Sequence, residues 1–240
     1  MKILLSPSKT MNPAAAPAAQ GSAPMLREAE MLAQRVRRLG VDWAEWYACS
    51  PKVADQAQAY WNDWDAQKTG TKAAWTFTGE AFGRLLPATW TQPDRAEDRL
   101  RILSGLYGIL RPSDGVLPYR LDVGQSLGGQ RLVGHWKPLV SDWLEADAAG
   151  SAVINCASDE YAEVLDSARF TWIDCVFLQT VNGRTRSVSA LSKQARGAMA
   201  RFLANHASDD PEVAKTFRAE GYRFRAAESN ETRWVFVRTS

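Results

Sequence analysis

Residues 170–189, FTWIDCVFLQTVNGRTRSVS, decide the fold class. Phe170 to Thr180 is rich in aromatic and β-branched residues and is read as a strand. Arg184 to Ser189 is a second strand, joined to the first at Val181-Asn182-Gly183, where Asn-Gly is a strong hairpin signal. Just upstream, Val153-Ile154-Asn155 is a short strand, and a helix opens near Ser158. Just downstream, Leu191 to His206 is a helix, followed by a strand pair, Tyr222–Ala226 and Arg233–Arg238. Further out, Lys2–Leu5 is a short buried strand. Helices are expected over Leu26–Arg38, from Asp42 through Tyr47, from Pro51 to about Trp64, over 94–103, and over Gly134–Ala146. Residues 73–86 are read as a loop plus a short helix, and the Pro/Ala-rich stretch 13–24 as a surface loop. The order is mixed, without regular βαβ repetition. The expectation is therefore one α+β domain over residues 1–240, not a doubly wound sheet.

Composition narrows the function classes. Hydrophobic residues make up 45% of the 240, enough for a real core. Ten Trp are spread along the chain and are read as large core pieces, the alternative being a base-stacking platform. The net charge of +2 is no nucleic-acid signature, so any such binding must come from local clustering. Three Cys form no CxxC pair, which with no secretory leader points to reduced thiols in a cytoplasm. No apolar run approaches the roughly 18 residues of a membrane span.

Several polar clusters sit at the ends of apolar runs, where they could meet a ligand. After the first strand, Ser6, Ser8 and Thr10 offer hydroxyls and Lys9 an ammonium; such a loop can hold an anion, or be plain surface. Around Ser104-Gly105-Leu106-Tyr107-Gly108 stand Arg95, Arg99, Arg101 and Arg111. Two glycines three apart allow a hairpin of the kind that grips DNA phosphates, and an ordinary helix C-cap at Gly105 is the other reading. Arg120 and Asp122 share a side if extended, and a pair there would aim the guanidinium at an oxyanion. Asn155 to Tyr161 opens a helix with Ser158 as N-cap, leaving Asn155 and Glu160 either to cap and complement the helix or to face a partner. Leu191, Ala195, Ala198 and Phe202 form one buried stripe, so Lys193 and Arg196 fall on the other side, beside Gly197, where something can approach closely. The two His have no metal-site spacing, and no cofactor fingerprint or nucleophile–base pair is found.

These blocks resemble one known family, the bacterial YaaA peroxide-stress proteins. The likeness runs from Ile3 to Arg238. It is carried by Leu5–Thr10, Phe77-Thr78-Gly79, Leu103–Pro112, Pro118–Leu121, Asn155–Tyr161, Lys193–Gly197 and Glu220-Gly221-Tyr222 with Phe224. The resemblance implies a cytoplasmic protein of the peroxide response that keeps unincorporated iron low. It implies a family-specific mixed fold with a positively charged cleft, whose candidates here are Lys9, Arg120, Lys193 and Arg196. It also implies a helix-hairpin-helix-like element at Leu103–Pro112, with Ser104, Gly105, Gly108 and Arg111 at the hairpin. Duplex or branched DNA, bound without sequence specificity, is the implied partner. One departure is Asn12, which stands where some relatives carry an acid.

Two functions are expected to compete. The first is DNA binding in the peroxide response. The second is an enzyme acting on a nucleotide or nucleobase-like molecule, because Ser6, Lys9, Arg120, Asn155, Glu160 and Lys193 are a richer mixture than phosphate gripping needs. A small phosphorylated ligand would suit either. A deep pocket favours the enzyme, and a shallow groove of duplex width favours DNA.

Overall fold

A computed structural model describes residues 1–182 and 184–239, with Val181 described by its backbone alone. At its centre lies β1 (Lys2–Leu5), buried along its whole length. On one side β1 pairs in parallel with β2 (Leu100–Ser104), which turns back into antiparallel β3 (Gly108–Leu110). After the helix α1 (Leu132–Ala148) the chain returns as β4 (Val153–Asn155), parallel to β1 on its other flank. Beyond β4 lies β5 (Trp172–Val181), which pairs antiparallel with β6 (Arg184–Arg186). The helix α2 (Ser189–Asn205) follows, then β7 (Tyr222–Phe224) and β8 (Arg233–Thr239). The order across the sheet is β7-β8-β5-β4-β1-β2-β3, with β6 attached to β5.

The structure is mixed, as the sequence suggests, but the middle of its sheet is parallel. Neighbouring strands such as β1 and β2 are nearly a hundred residues apart and are joined through several short helices. No local βαβ period therefore shows in the sequence. The β5–β6 hairpin forms in the expected place, with Asn182 at positive φ; Gly183 lies outside the described residues.

Residues 94–103 divide where a single helix was expected. The helix stops at Arg99 and Leu100–Ser104 is a strand. Two arginines are buried there because each has partners. Arg99 donates to Asp209 and to the carbonyls of Leu203, His206 and Ser208. Arg101 makes a two-point pair with Asp147 of α1 at 2.8 and 2.9 Å. Neither is available to a phosphate, and Arg95 also donates to the Ala207 carbonyl.

The helix-hairpin-helix expectation at Leu103–Pro112 is corrected by the same region. It is a strand, a turn and a strand, buried throughout β2 and β3. The Ser104 hydroxyl accepts from the Tyr107 N–H at 2.9 Å and sits 2.7 Å from the Tyr119 hydroxyl. A Cβ on Gly105 would stand 2.8 Å from the Leu121 carbonyl carbon, and one on Gly108 2.7 Å from the Trp136 ring. Both glycines are there for packing against their own chain, not for an outside phosphate.

The Trp residues serve the core. Trp61, Trp64, Trp136 and Trp234 are buried, and Trp43, Trp46, Trp75, Trp90, Trp143 and Trp172 pack against that core part-buried. Among the described residues no helix is long and apolar enough to cross a membrane.

Candidate functional site

From β1 the chain next joins the sheet at β2, on one side; from β4 it next joins at β5, on the other. Adjacent parallel strands whose connections part in this way leave a crevice at their carboxyl ends. That crevice is occupied here by the loops Ser6–Thr10 and Cys156–Ser158, and it opens into a cavity of about 410 Å3. Three further elements close it: Thr78–Phe82, Asp122, and α2 through Lys193 and Arg196. Its volume falls in the roughly 300–1,000 Å3 range of small-ligand sites.

Hydrogen bonds fix the floor. The Ser158 N–H donates to Ser6 Oγ at 2.8 Å, and the two hydroxyl oxygens are 3.2 Å apart. Ser158 occupies the N-cap of the short helix Asp159–Ala162, yet its side chain makes no capping bond. Its hydroxyl faces Ser6 instead. Thr10 is tied to Ser8 and to Thr78, each at 2.9 Å.

The charges of the lining balance. Lys9, Lys193 and Arg196 stand against Glu80, Asp122 and Glu160. Lys9 Nζ meets Asp122 Oδ2 at 2.8 Å. The Tyr161 hydroxyl donates to the other Asp122 oxygen at 3.3 Å. Burial first, then the Asp122 charge, hold the Tyr161 phenol well above its ordinary range, so it stays a neutral donor. Glu160 is exposed at the rim, its Oε1 lying where a Cβ on Gly124 would come within 2.6 Å. Glu80 accepts a hydrogen bond from Gln194. Arg196 keeps a buried Nε with no hydrogen-bond partner among the described residues.

The structure thus brings Ser6, Lys9, Thr10, Ser158, Glu160, Lys193 and Arg196 together. It separates the rest. Ser104, Gly105 and Gly108 lie in the buried hairpin, and Arg111 is exposed over the Trp143 ring. Arg120 does not pair with Asp122; its guanidinium lies over the Tyr47 ring, whose hydroxyl donates to the Arg120 carbonyl. Asn155 is 4% exposed and occupied: its amide donates to Asp174 and its carbonyl accepts from the Ala157 N–H. It lines a neighbouring cavity of about 290 Å3 that shares Arg196. Asn12 lines neither cavity. Gly197 does allow a close approach, but what approaches is the backbone of Ala81. A hollow of about 420 Å3 beside Gly21 and Trp64 has only Asp65 and Lys68 as charged groups.

Glu80 is a site residue that the sequence left unmarked, and Thr78 entered only within the Phe77-Thr78-Gly79 block. Asp122 was assigned to Arg120 by strand alternation, and only the fold brings Lys9 to it. Chemically, the site offers Lys193 and Arg196, which have no ion pair among the described residues, an exposed carboxylate at the rim and an ion-paired carboxylate inside. Such a set can hold an anionic group while a carboxylate takes a proton.

A sequence profile described as "Peroxide stress protein YaaA" matches residues 1–228. The chain belongs to the YaaA peroxide-stress family. A UPF0246 protein of Neisseria meningitidis serogroup A is 35% identical, covering 100% of this chain and 98% of the relative. A UPF0246 protein of Lactiplantibacillus plantarum is 33% identical over 99% of both chains. One from Desulfotalea psychrophila reaches 38% over 70% of this chain and 69% of its own. Similarity to the YaaA family therefore covers every element that shapes the cavity.

Proposed function

We propose that this YaaA-family chain serves the peroxide response by binding and transforming a small nucleotide or nucleobase-like molecule in the cavity at the ends of β1 and β4. The observation that carries this is a walled cavity whose three cations are matched by three acids. A duplex presents a continuous row of phosphates, and carboxylates inside a groove would repel it. A small molecule with an anionic end and hydrogen-bonding edges suits a mixed lining. Lys193 and Arg196 would hold its anion, Glu160 would act as general base, and the Lys9–Asp122 pair would orient a polar edge. Duplex binding finds less support, since Arg111 and Arg120 point elsewhere and the hairpin is buried.

Calorimetric titration with adenosine, cytidine and guanosine monophosphates tests this, with a duplex mobility shift alongside. At least one monophosphate should bind, and Lys193→Ala with Arg196→Ala should weaken it about 100-fold or more, the loss of two charge-assisted contacts. Tight duplex binding that the same double variant abolishes, with no monophosphate bound, would restore the DNA function. The iron role implied by the resemblance is proposed at the level of the cell. A strain lacking the protein should accumulate chelatable iron under peroxide, and the double variant should fail to correct it.

A further inference from the structure

Cys156 and Cys175 have no part in the chemistry above. Cys156 follows β4 directly, and Cys175 lies within β5. The register sets Ile154 opposite Ile173 and Asn155 opposite Asp174, and its next step sets the two cysteines opposite each other. Residues opposite in paired strands share a face, and paired strands lie about 4.8 Å apart. That separation falls inside the span of roughly 4.4–6.8 Å between α-carbons that a disulfide bridges. Both residues are buried free thiols. Cys156 lines the 410 Å3 cavity, Cys175 lines the adjoining 290 Å3 cavity, and Arg196 lines both. A hydrogen bond with Cys156, then burial, hold the Cys175 thiol well above its ordinary range. Cys49, the third cysteine, lines neither cavity.

We propose that Cys156 and Cys175 form a dithiol that reduces hydrogen peroxide, with Cys156 attacking and Cys175 resolving. Cys156 lines the larger cavity but is fully covered, so peroxide entering there reaches it on a small local opening, whereas Cys175 keeps its proton until a sulfenic acid lies beside it. Cys156, as thiolate, attacks one peroxide oxygen. The O–O bond breaks, the departing hydroxide takes up a proton to become water, and Cys156 becomes a sulfenic acid. The Cys175 sulfur then attacks the Cys156 sulfur, the S–O bond breaks, and the hydroxyl leaves with the Cys175 proton as a second water. Two thiols and one peroxide give one disulfide and two waters; the sulfur pair loses two electrons and the peroxide gains them. The proposal rests on the small-molecule cavity only for the route of entry.

The test treats the reduced full chain with hydrogen peroxide, blocks remaining thiols with N-ethylmaleimide in denaturant, and maps the products by mass spectrometry. One blocked cysteine, Cys49, is expected, together with a Cys156–Cys175 linked peptide that reductant removes. Cys175→Ser should stop at a sulfenic acid on Cys156 that dimedone captures. Three blocked cysteines after peroxide, or a linkage through Cys49, would overturn the proposal. If the serine variant fails to fold, the mapping of the unaltered chain decides alone. Monophosphate binding is measured on reduced protein, so that either conclusion can fail without the other.

Discussion

Gly197→Ala should destabilise the protein, although the same exchange in a free helix stabilises by about 1 kcal/mol. The added Cβ would stand 2.6 Å from the carbonyl carbon of Ala81 and 2.9 Å from its Cα. Carbon pairs settle at about 3.5–4.0 Å, so backbone must move by about 1 Å. The obstacle is main chain, which cannot rotate away, and overpacking of this kind costs about 3 kcal/mol. The net loss is about 2 kcal/mol, or a fall in Tm of about 4–8 °C for a chain of this length. Gly83→Ala is the control. Gly83 lies in the short helix that α2 packs against, and nothing stands within 4 Å of its Cβ position. It should keep the helix gain and raise Tm. Ala81 and Phe82 line the cavity, so Gly197→Ala should also weaken monophosphate binding, whereas Gly83→Ala should not. Scanning calorimetry of both variants checks this. A Gly197→Ala protein as stable as the parent would refute the packing argument.

Two other outcomes follow from buried charges. Asp147→Ala strands Arg101, which is 2% exposed, and removes a 3.4 Å partner of Lys2. A loss of about 3–5 kcal/mol in urea unfolding is expected, and one below about 1 kcal/mol would mark the pair as no better than a surface pair. Burial pushes the Asp114 carboxyl up to about 6, against the opposing Arg111 N–H and guanidinium. The native state then holds a proton that the unfolded chain has released, so stability falls as pH rises from the ordinary carboxylate range to about 6 and levels off above it. Asp114→Asn should remove that fall, and urea midpoints from about pH 4 to pH 7 that run parallel for both proteins would contradict it.

Elements with a local signal were legible in the sequence. Asp42 caps its helix, accepting from the Ala44 and Glu45 N–H groups, and Pro51 opens a helix that ends at Asp63. Leu100–Ser104 was not legible, because Arg101 and the preceding Arg99 look like an exposed helix face until Asp147 and Asp209 come to them through the fold. The candidate site was half legible for the same reason. Ser6, Ser158, Lys193 and Arg196 announce themselves as clusters at strand ends and on a helix face. That Asp122 joins Lys9 and not Arg120, and that Gly197 serves Ala81, depends on contacts between segments roughly a hundred residues apart.

The position of β1 also sets a timetable for synthesis. Its two hydrogen-bonding neighbours are residues 100–102 and 153–155. At ribosomal rates of about 5–20 residues per second, Lys2–Leu5 waits roughly 10–30 s before the second neighbour exists. Until then at least one edge of this apolar strand lies open to any passing strand, so nascent chains should depend on chaperone shelter until translation has passed Asn155.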